Sequence, residues 1–152
     1  MAEGSEMNVL FVCNGNVSRS QVAETMFNHL SEHRATSAGT AVRHLKAEGQ
    51  TLRTRAERPG APVAARIVLE LMQEKGFDLS NNVLNQVTPE MVDAADRVIV
   101  MPGPIPPEDF LARSDKMELW DITDPVHTSG ESTAIIIDEV IQRVQKLIQE
   151  LS

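Results

Sequence analysis

The feature that most constrains this chain of 152 residues is an apolar run that ends at its single cysteine. Residues 9–12 are Val-Leu-Phe-Val, and Cys13 and then Asn-Gly-Asn follow them. A short apolar run bounded by turn-forming residues predicts a buried parallel strand that leads into a tight loop. From Ser18 onward the apolar residues recur with helical spacing. The stretch therefore predicts a strand, a loop and a helix, with Cys13 and Arg19 at the two ends of the loop.

A loop of this kind is suited to binding an anion. A helix N-terminus presents unpaired N–H groups and a partial positive charge, and a glycine-containing loop adds further N–H groups. The same surroundings, together with Arg19 and the Ser20 hydroxyl, favour the nucleophilic thiolate form of a cysteine. A lone cysteine at a strand end is more often a small buried apolar residue, and the residues at these offsets are what favour the functional interpretation. The expected phosphate-binding residues are Asn14, Gly15, Asn16, Val17, Ser18 and Arg19.

Composition and charge exclude several other classes of protein. The net charge of −8 argues against general nucleic-acid binding, which depends on Lys and Arg. The acidic N-terminal residues are unlike a signal peptide, and no apolar run approaches the roughly 20 residues of a membrane span. One cysteine cannot form an internal disulfide, so we expect a cytoplasmic protein with no membrane partner. Residues 41–60 hold five Lys and Arg against two Glu, which suits either a solvated loop or a basic rim that attracts an anionic substrate.

The rest of the chain alternates predicted strands and helices, and we expect one domain over residues 1–152. Strands are predicted at 35–40, 97–101 and 117–120. The first helix is expected to end near His33, further helices to cover 63–75 and to begin at 88, and an amphipathic helix to close the chain from 132. This alternation predicts an α/β fold with an open parallel sheet and helices on both faces. We expect four strands in the order 2-1-3-4.

The loop also carries a family resemblance. Cys-x5-Arg-Ser with Gly-Asn inside it resembles the phosphate-binding loop of the low-molecular-weight protein tyrosine phosphatases and of the arsenate reductases that share their fold. The resemblance implies that Ser37, in Ser-Ala-Gly-Thr, helps Asn16 to support the loop. It also implies that Ser20 donates a hydrogen bond to the thiolate. Asn82 stands where the family commonly has a histidine, which makes Asn82 a candidate for the same supporting role.

Cleavage of a phosphate ester also needs an acid for the leaving group and a base for water. Asp124, followed by Pro125, matches the Asp-Pro of the family, and Asp121 is its competitor. In parallel sheets ligands bind at the carboxyl ends of strands, where both Cys13 and Asp124 are expected. The predicted catalytic residues are therefore Cys13, Arg19 and Asp124. No metal or other cofactor is expected, since the four histidines are scattered without a ligand pattern.

Three functions remain open at this point. The first is a phosphomonoester hydrolase, foremost a protein tyrosine phosphatase, which acts on a phosphorylated protein or a small aryl phosphate through a phosphocysteine. The second is an arsenate reductase, favoured by Gln21, where the tyrosine phosphatases usually have proline. Because the chain has no second cysteine, this reductase would require an external thiol. The third is a non-catalytic phosphate-binding module. Each of these functions implies that the loop binds inorganic phosphate, vanadate or arsenate as an oxyanion ligand.

The sequence leaves the physiological substrate and the oligomeric state open. It also assigns no role to the basic segment at 41–60 or to the Pro-rich stretch at 102–107. Pro102-Gly103-Pro104-Ile105-Pro106-Pro107 predicts a stiff loop at the carboxyl edge of the sheet, beside the site.

Overall fold

Four parallel strands form the sheet of the computed structural model, which describes residues 6–103, 108–124 and 130–152. The strands are β1 (Asn8–Cys13), β2 (Arg34–Gly39), β3 (Arg97–Val100) and β4 (Met117–Leu119). Their order is β2-β1-β3-β4, and all three pairings are parallel, as the sequence predicted. The register places Cys13 opposite Gly39, so that the last residues of β1 and β2 lie at the same edge.

In the described part of the chain, six helices connect and cover these strands. Their bounds are α1 (Arg19–Leu30), α2 (Leu52–Glu57), α3 (Val63–Glu74), α4 (Pro89–Ala94), α5 (Asp109–Ala112) and α6 (Gly130–Leu151). The α4 helix begins as expected, because the Thr88 hydroxyl accepts a hydrogen bond from the Met91 N–H and Pro89 occupies the first turn. None of the helices within the described residues is long and apolar enough to span a membrane.

The buried side chains of β1 alternate between two apolar clusters on opposite faces of the sheet. Phe11 packs in a cluster with side chains of α1, α3 and α6, whereas Leu10 and Val12 pack on the other face with residues of α4 and α5. Because successive side chains of a strand point to opposite faces, a strand that is apolar throughout needs cover on both. Helices therefore lie on both faces, in agreement with the prediction from the alternating pattern.

Besides shifts of one or two residues at the ends of other elements, three details of the secondary structure differ from the predictions. The first helix ends at Leu30 rather than near His33, because Ser31 already has extended backbone angles and β2 begins at Arg34. The segment at 41–60 contains the helix α2, whose start is capped by the Thr51 hydroxyl. The short helix α5 was also not predicted. Both missed helices have only four to six residues, too few for a helical repeat of apolar residues to be recognisable.

Two predictions concern residues outside the described part of the chain. The predicted stiff loop includes residues 104–107, of which nothing is described, so only Pro102 and Gly103 are placed. Pro125, the second residue of the predicted Asp-Pro pair, also lies outside the described residues.

Candidate active site

A cavity of about 460 Å³ opens at the carboxyl edge of the sheet, where β1 gives way to the loop before α1. Its volume falls in the range of pockets that hold small ligands or whole side chains. The loop, three segments after β2 and the segment after β4 contribute its walls. The lining residues are Cys13, Asn14, Gly15, Val17, Ser18, Arg19, Leu45, Arg55, Gly60, Ala61, Pro62, Val63, Ala64 and Asp124.

The backbone of the loop curls around one point of this cavity. The N–H groups of residues 14–18 donate no hydrogen bond to another described residue, so they remain available to an acceptor. Asn16 has a φ of 58°, in the left-handed region that asparagine tolerates better than most residues. The turn thus depends on Asn16 rather than on Gly15, which has no positive φ. Gly39 is required at the neighbouring strand end, because a Cβ there would lie 2.6 Å from the Asn14 carbonyl oxygen.

The Cys13 thiol is part of a hydrogen-bond network with Ser20 and Asn16. The Cys13 Sγ lies 2.9 Å from the Ser20 Oγ, and that oxygen accepts a hydrogen bond of 2.8 Å from the Asn16 Nδ2. A hydroxyl has one donor and two acceptor sites, so Ser20 can accept from Asn16 and still donate to the sulfur. When Cys13 carries no proton, Ser20 is the donor of this contact, because a thiolate can only accept. Cys13 is buried, with 3% of its surface exposed.

Asn16 connects this network to the neighbouring strand and to the segment before α4. Its Nδ2 also donates to the Ser37 Oγ over 3.0 Å, and its Oδ1 accepts from the Asn85 backbone N–H over 2.9 Å. The backbone donor fixes the orientation of the amide, since only the oxygen can accept from it. Ser37 in turn donates to the Glu24 carboxylate over 2.5 Å, and burial raises the pKa of Glu24 above its usual value while this hydrogen bond lowers it.

Asn82 supports the loop indirectly. Its Nδ2 donates to the Gln21 Oε1 over 3.1 Å, and the Gln21 Nε2 donates to the Asn16 Oδ1 over 3.3 Å. Gln21 is 1% exposed and therefore relays the contact in the protein interior. Asn82 thus supports Asn16 through the side chain of Gln21.

Arg19 is almost completely buried and is oriented by two carbonyl groups. Its Nη1 donates to the Ile122 oxygen over 2.7 Å and to the Pro102 oxygen over 3.1 Å. The opposite edge, formed by Nε and Nη2, donates no hydrogen bond to another described residue. Nη2 lies 3.5 Å from the Asp124 carboxylate. A guanidinium edge with two parallel N–H groups matches two oxygens of a phosphate, so the carbonyl groups orient Arg19 for bidentate binding.

The structure brings together most of the residues that the sequence singled out. Cys13, Arg19 and Asp124 line one cavity, and Asn16, Ser20 and Ser37 form one network beneath it. Asp121 is exposed and does not line the cavity. Within the ranges 6–103, 108–124 and 130–152, no group of three His, Cys, Asp or Glu residues is arranged to hold a metal ion.

Sequence reasoning missed four contributors to the site. Gln21 was noted only as a resemblance to the arsenate reductases, and Glu24 was assigned to no role. The N–H of Asn85 and the cavity-lining Arg55 were also missed, although Arg55 was counted within the basic segment. The spacing of Gln21 and Glu24 could have indicated their role. They are three residues apart on the first turns of α1, so they lie on the same face of the helix, close to the loop.

Fold and site together define a class: parallel α/β proteins in which a cysteine after the first strand is enclosed by backbone N–H groups and an arginine. The family model of the low molecular weight phosphotyrosine protein phosphatases matches residues 8–106. The chain therefore belongs to this family and is a cysteine-dependent phosphatase, as the sequence predicted.

Similar proteins agree with this assignment. A low molecular weight protein tyrosine phosphatase from T. tengcongensis is 27% identical, with a TM-score of 0.71 over 95% of this chain and 99% of that one. An arsenate reductase from Bacillus licheniformis is also 27% identical, over 95% of this chain and 97% of the relative. Vibrio vulnificus Wzb, solved in complex with benzylphosphonate, has a TM-score of 0.73 over 95% of this chain and 98% of its own; at 20% identity it shows the shared fold.

Proposed function

We propose that the protein hydrolyses phosphomonoesters, foremost phosphotyrosine in proteins and small aryl phosphates, through a phosphocysteine at Cys13. The observation that carries this proposal is that a thiol, a bidentate arginine edge and a carboxylate line the same cavity. Inorganic phosphate, vanadate and arsenate are tetrahedral oxyanions of the kind this loop is suited to hold.

In the first step the Cys13 thiolate attacks phosphorus in line with the leaving oxygen. The S–P bond forms, the P–O bond to the alcohol or phenol breaks, and Asp124 supplies the proton to the departing oxygen. The Nε and Nη2 of Arg19 bind two equatorial oxygens of the phosphoryl group, and the N–H groups of residues 14–18 donate to oxygens of the same phosphoryl group. These donors stabilise the charge spread over the oxygens in the transition state.

In the second step water attacks phosphorus, the S–P bond breaks, and inorganic phosphate is released. Asp124, now a carboxylate, accepts a proton from the water. The Ser20 hydroxyl donates to the sulfur and makes it a better leaving group. The 2.9 Å contact between the two atoms supports this role.

The cavity walls support an aryl substrate. Besides its polar residues, the cavity is lined by aliphatic side chains, among them Val17, Leu45, Pro62 and Val63. Such walls can pack on a phenyl ring without a stacking partner. We also propose a cytoplasmic location, which is supported by a single cysteine held as a free thiol.

Arsenate reduction is the second candidate, because a relative that matches nearly the whole chain is an arsenate reductase. Gln21 is the residue that favoured this alternative. Its presence is also explained by a structural role, because its side chain joins Asn82 to Asn16 and so supports the loop. Cys13 is the only cysteine in the sequence. An external thiol would therefore have to attack the Cys13–arsenic adduct, releasing arsenite and leaving a mixed disulfide.

The two candidates separate at the second step. We expect repeated turnover of an aryl phosphate without added thiol, with a phosphocysteine trapped by rapid quenching, and no turnover by Cys13→Ser. That variant should still bind vanadate, because Arg19 and the N–H groups remain. Efficient arsenite production with a low-molecular-weight thiol, alongside aryl phosphate hydrolysis no faster than that of Cys13→Ser, would overturn the proposal.

A further inference from the structure

Arg55 is a second buried arginine in the wall of the active-site cavity. It belongs to α2, and only 5% of its surface is exposed. It lines the same cavity as Cys13 and Arg19. Its Nε is buried and has no hydrogen-bond partner, and within residues 6–103, 108–124 and 130–152 its side chain makes neither a hydrogen bond nor an ion pair.

The other arginines of the basic segment are all engaged. Arg43 pairs with Glu48 over 2.8 Å and Arg53 with Glu57 over 3.4 Å, so both acids of the segment are paired elsewhere. Arg58 donates to the carbonyl oxygens of Leu45 and Lys46, over 2.6 and 2.9 Å. The positive charge of Arg55 therefore has no partner within its own segment.

The backbone around Arg55 is anchored. The N–H of Leu52 donates to the Asn82 oxygen over 2.8 Å, and the N–H of Arg53 donates to the Ser80 oxygen over 3.0 Å. Through Arg58, the turn that carries Leu45 is tied to the end of α2. Arg55 is thus held in the cavity wall by a fixed backbone and is not the end of a free surface loop.

A buried cation without a partner is costly, and buried polar groups are almost always paired. Burial lowers the pKa of Arg55, and repulsion from Arg58 adds to this effect. Such a group becomes favourable when an anion enters the cavity, because a charge-assisted hydrogen bond then forms away from water. Arg19 is already assigned to the transferred phosphate, so Arg55 is available for a different anionic group.

We infer that Arg55 binds a second anionic group of the substrate, a carboxylate or another phosphate, carried close to the phosphate that is cleaved. This inference rests on the proposed function and narrows its substrate class. The enzyme selects organic phosphates with an additional negative charge, and a phosphotyrosine substrate is preferred when an acidic group lies beside the ring. The fork of Arg55 gives this selection, since two parallel N–H groups match a carboxylate.

Two aryl phosphates that differ in the charge of one ring substituent test the inference, and the wild type is compared with variants so that the different acidity of the two phenols cancels. The probes are 3-carboxyphenyl phosphate and its methyl ester, together with the 4-substituted pair to vary the distance. The preference is the ratio of kcat/KM for the acid to that for the ester. We expect a preference for the acid in the wild type, through KM more than kcat, because this contact forms in the ground state as well.

The variant Arg55→Met removes the charge and keeps most of the volume. We expect the preference to fall about tenfold to hundredfold, the range for loss of a hydrogen bond between charged groups. Arg55→Lys should keep part of the preference, since it retains the charge without the fork. Arg53→Met, on the exposed side of the same helix, should keep the wild-type preference.

Two results would overturn the inference. One is a preference that stays the same in Arg55→Met. The other is an equal loss for acid and ester, which would show that Arg55 acts on the loop or on the ring. A binding measurement makes the test independent of turnover. Calorimetry with Cys13→Ser should show tighter binding of 3-carboxybenzylphosphonate than of its methyl ester. In Cys13→Ser/Arg55→Met this ratio of affinities should fall as the ratio of kcat/KM does. If the wild type hydrolyses no aryl phosphate but this binding preference is present, the proposed function fails and the role of Arg55 remains.

Discussion

The Ser20 Oγ lies 2.9 Å from the Cys13 Sγ, at the start of the helix that follows the loop. Ser20 itself accepts a hydrogen bond from the Asn16 side chain, whose orientation is set by a backbone N–H. The position of the Ser20 hydroxyl thus depends on groups several residues away, and the loop and its nucleophile are one hydrogen-bonded unit. A unit of this kind should act most strongly at the step in which the sulfur leaves.

Ser20→Ala should slow breakdown of the phosphocysteine more than its formation. Without the donor, the departing sulfur gains negative charge with one less hydrogen bond, and we expect kcat to fall about tenfold. Rapid quenching should then trap more phosphoenzyme at steady state than in the wild type. A variant with reduced kcat and less trapped phosphoenzyme would instead show that Ser20 serves the first step.

Glu24 should give the stability of the protein a recognisable pH dependence. Burial raises the pKa of this carboxyl in the folded protein, so the folded state holds a proton that the unfolded state has released. Stability from this source is fully present below the usual Glu pKa of about 4.3 and is lost as the pH rises through the raised value. Glu24→Gln, which keeps an acceptor for Ser37, should remove the effect.

Urea unfolding at a series of pH values from about 4 to 8 measures this difference. Relative to Glu24→Gln, the wild type should lose free energy of unfolding as the pH rises. Glu70→Gln removes an exposed carboxylate from α3 and controls for the change in net charge. A difference between wild type and Glu24→Gln that is flat, or that grows in favour of the wild type with pH, would contradict the prediction.

Arg55→Met should stabilise the protein in the absence of ligand. The substitution replaces a largely buried cation, which pairs with no described residue, by an apolar side chain of similar length. We expect the free energy of unfolding to rise by about 1 kcal/mol. Arg53→Met loses one exposed ion pair, so its effect should stay within about 0.5 kcal/mol. A loss of stability in Arg55→Met larger than that in Arg53→Met would show that Arg55 has a structural role.

The sequence was informative where physical signals are local. The apolar run before Cys13 and the helical spacing after Ser18 predicted β1, the loop and α1, and the regular alternation predicted a parallel sheet with helices on both faces. Prediction from the sequence was weak where a contact joins distant segments of the chain. Nothing near Gln21 indicates that its amide lies between Asn82 and Asn16, since this depends on how a segment 61 residues away packs.

The basic segment at 41–60 shows that a count of charges has the same limitation as a predictor of contacts. Counting Arg55 among five basic residues could not tell it from Arg53, two positions earlier on the same short helix. One is exposed and paired with an acid on the next turn, whereas the other is buried in the cavity wall. This difference follows from how α2 is anchored to residues 80–82, which composition does not encode. The assignment of residues 1–152 to one domain stays a prediction.

Asp124→Asn should separate the general acid from its competitor. The Asp124 carboxylate lines the cavity and lies 3.5 Å from Arg19, whereas Asp121, three residues earlier, is exposed outside it. An acidic phenol leaves without help, but a weakly acidic phenol needs a proton in the transition state. We therefore expect Asp124→Asn to lose about 10²–10⁴ in kcat/KM with phenyl phosphate and much less with 4-nitrophenyl phosphate.

The measurement is the dependence of log(kcat/KM) on the acidity of the leaving phenol, for a series of substituted phenyl phosphates. The slope should become steeper in Asp124→Asn, because negative charge on the leaving oxygen is no longer neutralised as the bond breaks. Asp121→Asn removes a carboxylate from the same loop and should keep the wild-type slope. If the steep slope appears in Asp121→Asn and not in Asp124→Asn, the acid is Asp121, and the carboxylate beside Arg19 serves to orient the guanidinium.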